Sequence, residues 1–232
     1  MSEPVTVESS GDVAILRLDD GKVNALSPSV FEALSAALDR VEQADQAVLL
    51  AGRPGQFSAG FHLGVMRDGG PGAARALVTE GARFAVRLAR HPAPVVIGCT
   101  GHALAMGAVL LMAADSRIGA RGDFKIGFNE VAIGLATPVF LVELARGRLS
   151  NRHFLRATVQ AEGYDPDGAV DAGFLDRVVA PERVLAEALA EAERLAKLPR
   201  AAYVRTRKAL RHRQLAEIEA TLEADLAGAF PG

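Results

Sequence analysis

Apolar positions along the chain change period several times. Short continuous apolar runs alternate with segments in which apolar residues recur every three or four positions. Residues 5–8 and 13–18 read as strands joined by a Ser-Gly-Asp turn, an opening hairpin. Residues 22–26 read as a connector. Ser27-Pro28 marks a helix start, because Ser can cap and Pro fits the first turn. That helix runs to about Glu42, with Val30, Leu34, Ala37, Leu38 and Val41 on one face. Residues 46–51 form a short apolar strand that Gly52-Arg53-Pro54-Gly55 breaks. Residues 73–90 are predicted helical and 94–100 a buried strand. Gly101 starts a turn into a helix ending near Ala114, and residues 116–120 are another strand.

Continuous apolar strands between amphipathic helices argue for an α/β fold, a mostly parallel sheet covered on its faces. After Pro138 the pattern turns helical. Asp165-Pro166 caps a short helix and residues 174–179 hold a last small strand. Residues 181–198 and 199 to about 226 are long amphipathic helices. The expected division is a core over residues 1–180 and a C-terminal helical region over 181–232. No internal repeat, heptad pattern or low-complexity tract interrupts this.

Composition narrows the picture. A chain of 232 residues suits one compact domain with a sizeable core. Trp is absent and aromatics are 5% of residues, so Ala, Val, Leu and Ile must build that core. The formal charge of −2, with both signs interspersed, excludes a nucleic-acid footprint. Arg205, Arg207, Lys208, Arg211 and Arg213 cluster near the C-terminus and read as a solvated helix face rather than an anion site. The single cysteine, Cys99, lies in a predicted buried strand and reads as structural, which fits a reducing compartment. The start of the chain lacks the basic and apolar regions of a signal peptide. The longest apolar stretch, residues 103–114, is too short to span a bilayer. A cytoplasmic protein with no membrane partner is the expectation. No His/Cys/Asp cluster has metal spacing, so no metal is expected. Phosphate-loop and dinucleotide fingerprints are missing as well.

Three segments could carry chemistry. The first, Phe57-Ser58-Ala59-Gly60-Phe61-His62-Leu63, follows a strand and a Pro/Gly break. Its small residues let a ligand approach the backbone, and Gly60 can aim the next N–H, that of Phe61, outward. The same residues also fit an ordinary strand-to-helix loop. The second, Gly101 to Gly107, leads into a helix whose first N–H groups lack partners and favour negative charge. The N–H of Met106 or Gly107 is the candidate donor, with tight helix-to-sheet packing as the alternative. Two donors from separate loops make an oxyanion hole, each typically worth about 3 kcal/mol in the transition state. The third is Glu130, set among Ile126, Phe128, Val131 and Ile133. A carboxylate in apolar surroundings either pairs or has a raised pKa suited to proton transfer. Read locally, it is equally a cap or loop acid. The helix after the second segment carries no carboxylate before Asp115. Ser58 and His62, four apart, suggest a nucleophile–base pair only weakly, because no acid orients them. His102 reads as packed or capping.

In these motifs the chain resembles the crotonase (enoyl-CoA hydratase/isomerase) superfamily. The markers are Phe57-Ser-Ala-Gly-Phe61, Gly101 to Gly107 with Asp115 at the helix end, and Asn129-Glu130 with Gly134. Together with Lys22-Val-Asn-Ala-Leu26 they extend over nearly the whole chain. The resemblance implies a crotonase-like (ClpP/crotonase) spiral of strand–strand–helix turns. It implies a C-terminal helical region that assembles homotrimers or dimers of trimers. It also implies an acyl-CoA thioester as substrate, with no further cofactor. The family oxyanion hole maps to the N–H groups of Phe61 and Met106. The family's coenzyme A and substrate contacts map to Ala59, Gly60, Phe61, His62, Leu63 and Gly107. Residues 64–72, rich in Gly, are expected to form a mobile lid near the acyl site.

Departures from the family pattern sharpen the expectation. Typical hydratases use two glutamates; one matches Glu130, and the other falls at Val109. An isomerase moves one proton between two carbons and needs one carboxylate. Residues 53–60 and 126–130 are also similar to the 3,2-enoyl-CoA isomerase branch. Phe61-His62 and Ala105-Met106 are bulkier than usual and leave acyl length open. The expected activity is 3-enoyl-CoA to 2-trans-enoyl-CoA isomerisation in fatty-acid degradation, catalysed by Glu130. The alternatives are an enoyl-CoA hydratase with one glutamate, a catalytically silent acyl-CoA-binding homologue, and thioester hydrolysis.

Overall fold

A computed structural model describes residues 3–229. The opening hairpin is β1 (Val5–Ser10) and β2 (Val13–Leu18), paired antiparallel. From β2 the sheet continues through β4 (Ala47–Ala51), β7 (Val95–Cys99), β9 (Ser116–Ala120) and β11 (Arg177–Val179), all parallel. Alternate side chains go to opposite faces of this sheet. Val48, Leu50, Val95 and Ile97 enter the main core, beneath α1 (Pro28–Gln43), α3 (Gly70–Arg90) and α4 (Met106–Ala113). Ala47, Leu49, Val96 and Ile118 form a second cluster with Ala188, Ala192 and Leu195 of α8 (Val184–Ala196). Both faces are therefore dry, which is why these strands are continuously apolar.

Helix α1 begins as its sequence requires: Ser27 accepts from the N–H of Val30, with Pro28 in the first turn. Five short elements depart from expectation. Residues 22–26 end in a two-residue strand, β3 (Ala25–Leu26). The first candidate turn is two strands, β5 (Gly55–Ser58) and β6 (Gly60–Phe61). The second is β8 (Gly101–Leu104), and its helix starts only at Met106. Residues 64–72, expected near the acyl site but without a readable shape, hold α2 (Leu63–Asp68), capped by His62, and the start of α3. A hydrogen-bonded strand of two to four residues has too few positions to show a period of two, so sequence patterning reads it as loop.

The rest of the chain has β10 (Ile126–Gly127), α5 (Val139–Arg146), α6 (Asn151–Thr158), α7 (Pro166–Ala172) and the long α9 (Arg200–Ala229). The expected basic, solvated face of α9 needs correction. Arg207 and Arg211 are buried and pair with Asp115, at 2.6 and 3.0 Å. No helix among the described residues is long and apolar enough to cross a membrane.

Candidate active site

Strands β5, β8 and β10 form a separate three-stranded sheet in the order β10-β8-β5, all parallel. Their carboxyl ends share one edge, the usual place for a ligand in parallel α/β sheets. Each strand end delivers one part of the site. After β5 come Gly60 and Phe61, after β8 come Ala105 and Met106, and after β10 come Asn129 and Glu130.

The two backbone donors are set by local geometry. His62 donates its N–H to Leu26 O at 3.0 Å, as β6 pairs with β3. Successive N–H groups of a strand point to opposite sides, so that of Phe61 turns away from β3. Met106 is the first residue of α4, where N–H groups have no partner within the helix. Ala105 before it has φ 48° and ψ −124°, a conformation that costs an L-residue about 1–3 kcal/mol. Two bonds hold it there: Ala105 N donates to Gly127 O, and Val109 N donates to Ala105 O, both at 3.0 Å.

Two glycines bring these turns together. At Gly60, φ is 92°, and a Cβ would lie 2.8 Å from Ala105 Cβ and 3.2 Å from Met106 N. At Gly107 a Cβ would meet Ser58 O at 2.5 Å. The donor strands therefore touch only because these side chains are absent.

Glu130 is 9% exposed, and its Oε2 has no hydrogen-bonding partner within the protein. Burial raises its carboxyl above the usual range, and the backbone N–H groups of Glu130 and Asn129 only partly offset this. Its backbone is pinned, because Glu130 O accepts from Ile133 N at 3.1 Å and Leu135 N at 2.9 Å. Glu130, Phe61 and Met106 all line one cavity of about 920 Å³. Met66, Val78, Val109, Phe140 and Leu141 make it apolar, and His62 and Arg67 lie on its α2 side. Glu130 is the one carboxylate among the described residues of its wall.

The other sequence candidates fall as follows. Ala59, His62 and Leu63 line the cavity, whereas Gly60 and Gly107 sit behind its wall. The Phe61 ring tucks against Gly81 and lies 6.2 Å from the ring of Phe31, between centroids. Ser58 Oγ donates to Asn24 O and accepts from Gly60 N, so it holds the turn and does not meet His62. His62 Nδ1 accepts from Val65 N. His102 accepts from Lys125 N and packs edge-on to Phe124. Cys99 is buried, its thiol pushed up to about 12 by burial. No group of three or more His, Cys, Asp or Glu fit for a metal occurs among the described residues.

Two residues of the site carried no role in the sequence reading. Asn24, fully buried at φ 53°, donates from Nδ2 to Leu18 O, Gln56 O and Phe57 O and so fastens β5. Its signal was the Asp20-x-x-x-Asn24 spacing: Asp20 accepts from the N–H groups of Lys22, Asn24 and Ala25. Asn129 also faces the cavity, and its Oδ1 is buried without a partner in the protein.

The model of the enoyl-CoA hydratase/isomerase family matches residues 8–228. The structure is similar to that of an enoyl-CoA hydratase/isomerase family protein from Pseudomonas syringae. That chain is 42% identical, with TM-score 0.95, covering 97% of this chain and 98% of the other. It is also similar to an enoyl-CoA isomerase of Mycobacterium tuberculosis, 36% identical, with TM-score 0.94 and coverage of 99% and 100%. A probable enoyl-CoA hydratase of Mycobacterium avium is 34% identical over 194 residues, 81% of this chain and 74% of that one. The chain belongs to the enoyl-CoA hydratase/isomerase family of the crotonase superfamily and has the crotonase fold. Its relatives include isomerases and hydratases.

Proposed function

We propose that the protein converts 3-enoyl-CoA to 2-trans-enoyl-CoA, with Glu130 carrying the proton. The observation that carries this reading is the solitary carboxylate. Glu130 is the one acid among the described residues of the cavity wall, and Val109, where a hydratase's other glutamate is expected, is apolar and buried. Isomerisation neither adds nor removes an atom. Glu130 takes the proton from C2, electron density moves through the C3–C4 double bond into a dienolate, and the same carboxyl returns the proton at C4. The thioester oxygen, where the charge collects, is held by the N–H groups of Phe61 and Met106. A carboxylate made more basic by burial takes a weakly acidic carbon proton more readily than an ordinary one does. The apolar wall of Met66, Val78, Phe140 and Leu141 supports an acyl chain as the bound group.

The test is Glu130→Gln assayed with a 3-enoyl-CoA. The expected loss of turnover is about 100- to 10,000-fold, the usual range for a positioned proton-transfer group. Turnover near that of the unchanged protein contradicts the assignment.

A further inference from the structure

Among the described residues, the cavity wall holds one carboxylate, Glu130, and one permanent cation, Arg67. The two do not meet. Glu130 Oε2 has no partner in the protein, and Arg67 makes no ion pair or hydrogen bond with any described residue. The arginines of the next helix behave differently: Arg75, Arg83, Arg87 and Arg90 of α3 are each paired with a carboxylate. A helical arginine finds its local partner three or four positions away. Around Arg67 those positions are Leu63, Gly64, Gly70 and Pro71, and none is acidic. The adjacent acid, Asp68, lies toward Gly64 instead, with Oδ2 3.7 Å from where a Gly64 Cβ would stand. His62 adds a second donor to the same side of the cavity. Its Nδ1 accepts from Val65 N at 3.4 Å, which leaves the proton of the neutral ring on Nε2.

Arg67 belongs to the part of the wall built by α2 and the start of α3, with Met66, Gly70 and Ala74. A hydrocarbon tail offers a guanidinium nothing there, and covering an unpaired cation with it costs free energy. A carboxylate matches, because a guanidinium takes it with two parallel N–H donors. Close to Glu130 the same carboxylate would be repelled, so its place is on the α2 side and not at the reacting carbons. We propose that Arg67, assisted by His62, recognises a free carboxylate at the far end of the acyl chain. The substrates then include 3-enoyl thioesters of dicarboxylic acids. This rests on the isomerase reading above and names its substrate class. Glu130 and the two backbone donors act on such a thioester as they do on a plain one.

The experiment is calorimetric titration with adipyl-CoA and suberyl-CoA, each against its ω-methyl ester, which keeps the chain and removes the charge. The titrated proteins are the natural chain, Arg67→Gln and Arg67→Lys. A charge-assisted hydrogen bond predicts about tenfold tighter binding of at least one free acid than of its ester. Arg67→Gln is expected to abolish that preference, and Arg67→Lys, which keeps the charge, to retain most of it. Raising the salt concentration should shrink the preference in the natural chain, a readout that stands even where a variant fails to fold. No preference in the natural chain overturns the proposal, as does one that survives in Arg67→Gln or is indifferent to salt. Free coenzyme A is titrated as well, because its phosphates are the other anions of the ligand. If Arg67→Gln weakens free coenzyme A, and each acid and ester to the same extent, the guanidinium serves a phosphate and the proposal is overturned. Failure to bind any of the thioesters overturns the acyl-CoA reading itself, a separate outcome.

Discussion

Glu130 is 9% exposed with Oε2 unpartnered in the protein, so its ionised form is the costly one. Two pH effects of known sign follow. The native state holds the proton at pH values where the unfolded chain has lost it. The contribution of Glu130 to stability is therefore greatest below the ordinary glutamate range and is lost as pH rises through its raised pKa. Glu130→Gln removes this cost, so its Tm should exceed that of the natural chain at alkaline pH, and the gap should close on acidification. Activity runs the other way, since only the carboxylate accepts the C2 proton. The acid limb of kcat/KM should lie above the ordinary glutamate range, and a limb at or below it contradicts the base assignment. At Val109, Val109→Glu should raise hydration of 2-enoyl-CoA if a missing acid limits that reaction, as a direct comparison of rates will show. Glu130 was legible in the sequence because a lone acid among apolar residues breaks the pattern. Asn24 was not, because an Asn in a polar connector looks like any turn residue until its three carbonyl partners are folded around it.

Helix α9 is tied to the core by arginines that cap other helices. Arg211 donates to Ala89 O at the end of α3 and to Ala113 O and Ala114 O at the end of α4. Arg207 donates to His91 O and Ala93 O, and Arg148, which follows α5 and is not part of α9, donates to Met112 O and Ala114 O. Cations at helix C-termini meet the negative end of the macrodipole and satisfy orphan carbonyls. Asp115 balances Arg207 and Arg211. Removing one partner of a buried pair typically costs about 3–5 kcal/mol. Arg211→Met should therefore lower Tm by about 10 °C, given about 2–4 °C per kcal/mol for chains of this size. Thermal unfolding checks this, and an unchanged Tm contradicts the capping role. The periodicity of α9 did carry the information. Arg207 and Arg211 lie on the stripe of buried Leu215, Ile218, Leu222 and Leu226. Composition favoured the solvated reading because arginine is seldom buried unless paired, and its partner Asp115 is 92 and 96 residues away. Between α4 and β5 the constraint is steric. Gly107→Ala would drive a Cβ into Ser58 O, at 2.5 Å. Overpacking of this kind typically costs about 1–3 kcal/mol. It would also displace the Met106 N–H, so kcat should fall more than binding weakens.

In the whole molecule, one large sheet supplies stability and one small sheet supplies the site. The large sheet was legible because its central strands β4 and β7 are covered on both faces and so are continuously apolar. The small sheet was not, because β5, β8 and β10, like the neighbouring pair β3 and β6, are too short to show alternation and depend on hydrogen bonds between residues far apart in the chain. Their consequence was visible all the same: small residues were required where Gly60 and Gly107 let two turns meet. Assembly into a homotrimer or dimer of trimers is a proposal at this scale. It is supported by Leu155, Val159 and Leu210, which are 55%, 59% and 80% exposed. Light scattering should give three or six times the chain mass of 24.3 kDa, and a monomer mass contradicts it. The central claim is that a single carboxylate moves a double bond. It is tested most directly by incubating the natural protein with a 3-enoyl-CoA and identifying the product by mass spectrometry and double-bond position. The account predicts 2-trans-enoyl-CoA of unchanged mass. Recovery of the 3-enoyl-CoA intact, from protein that hydrates a 2-enoyl-CoA, would contradict it.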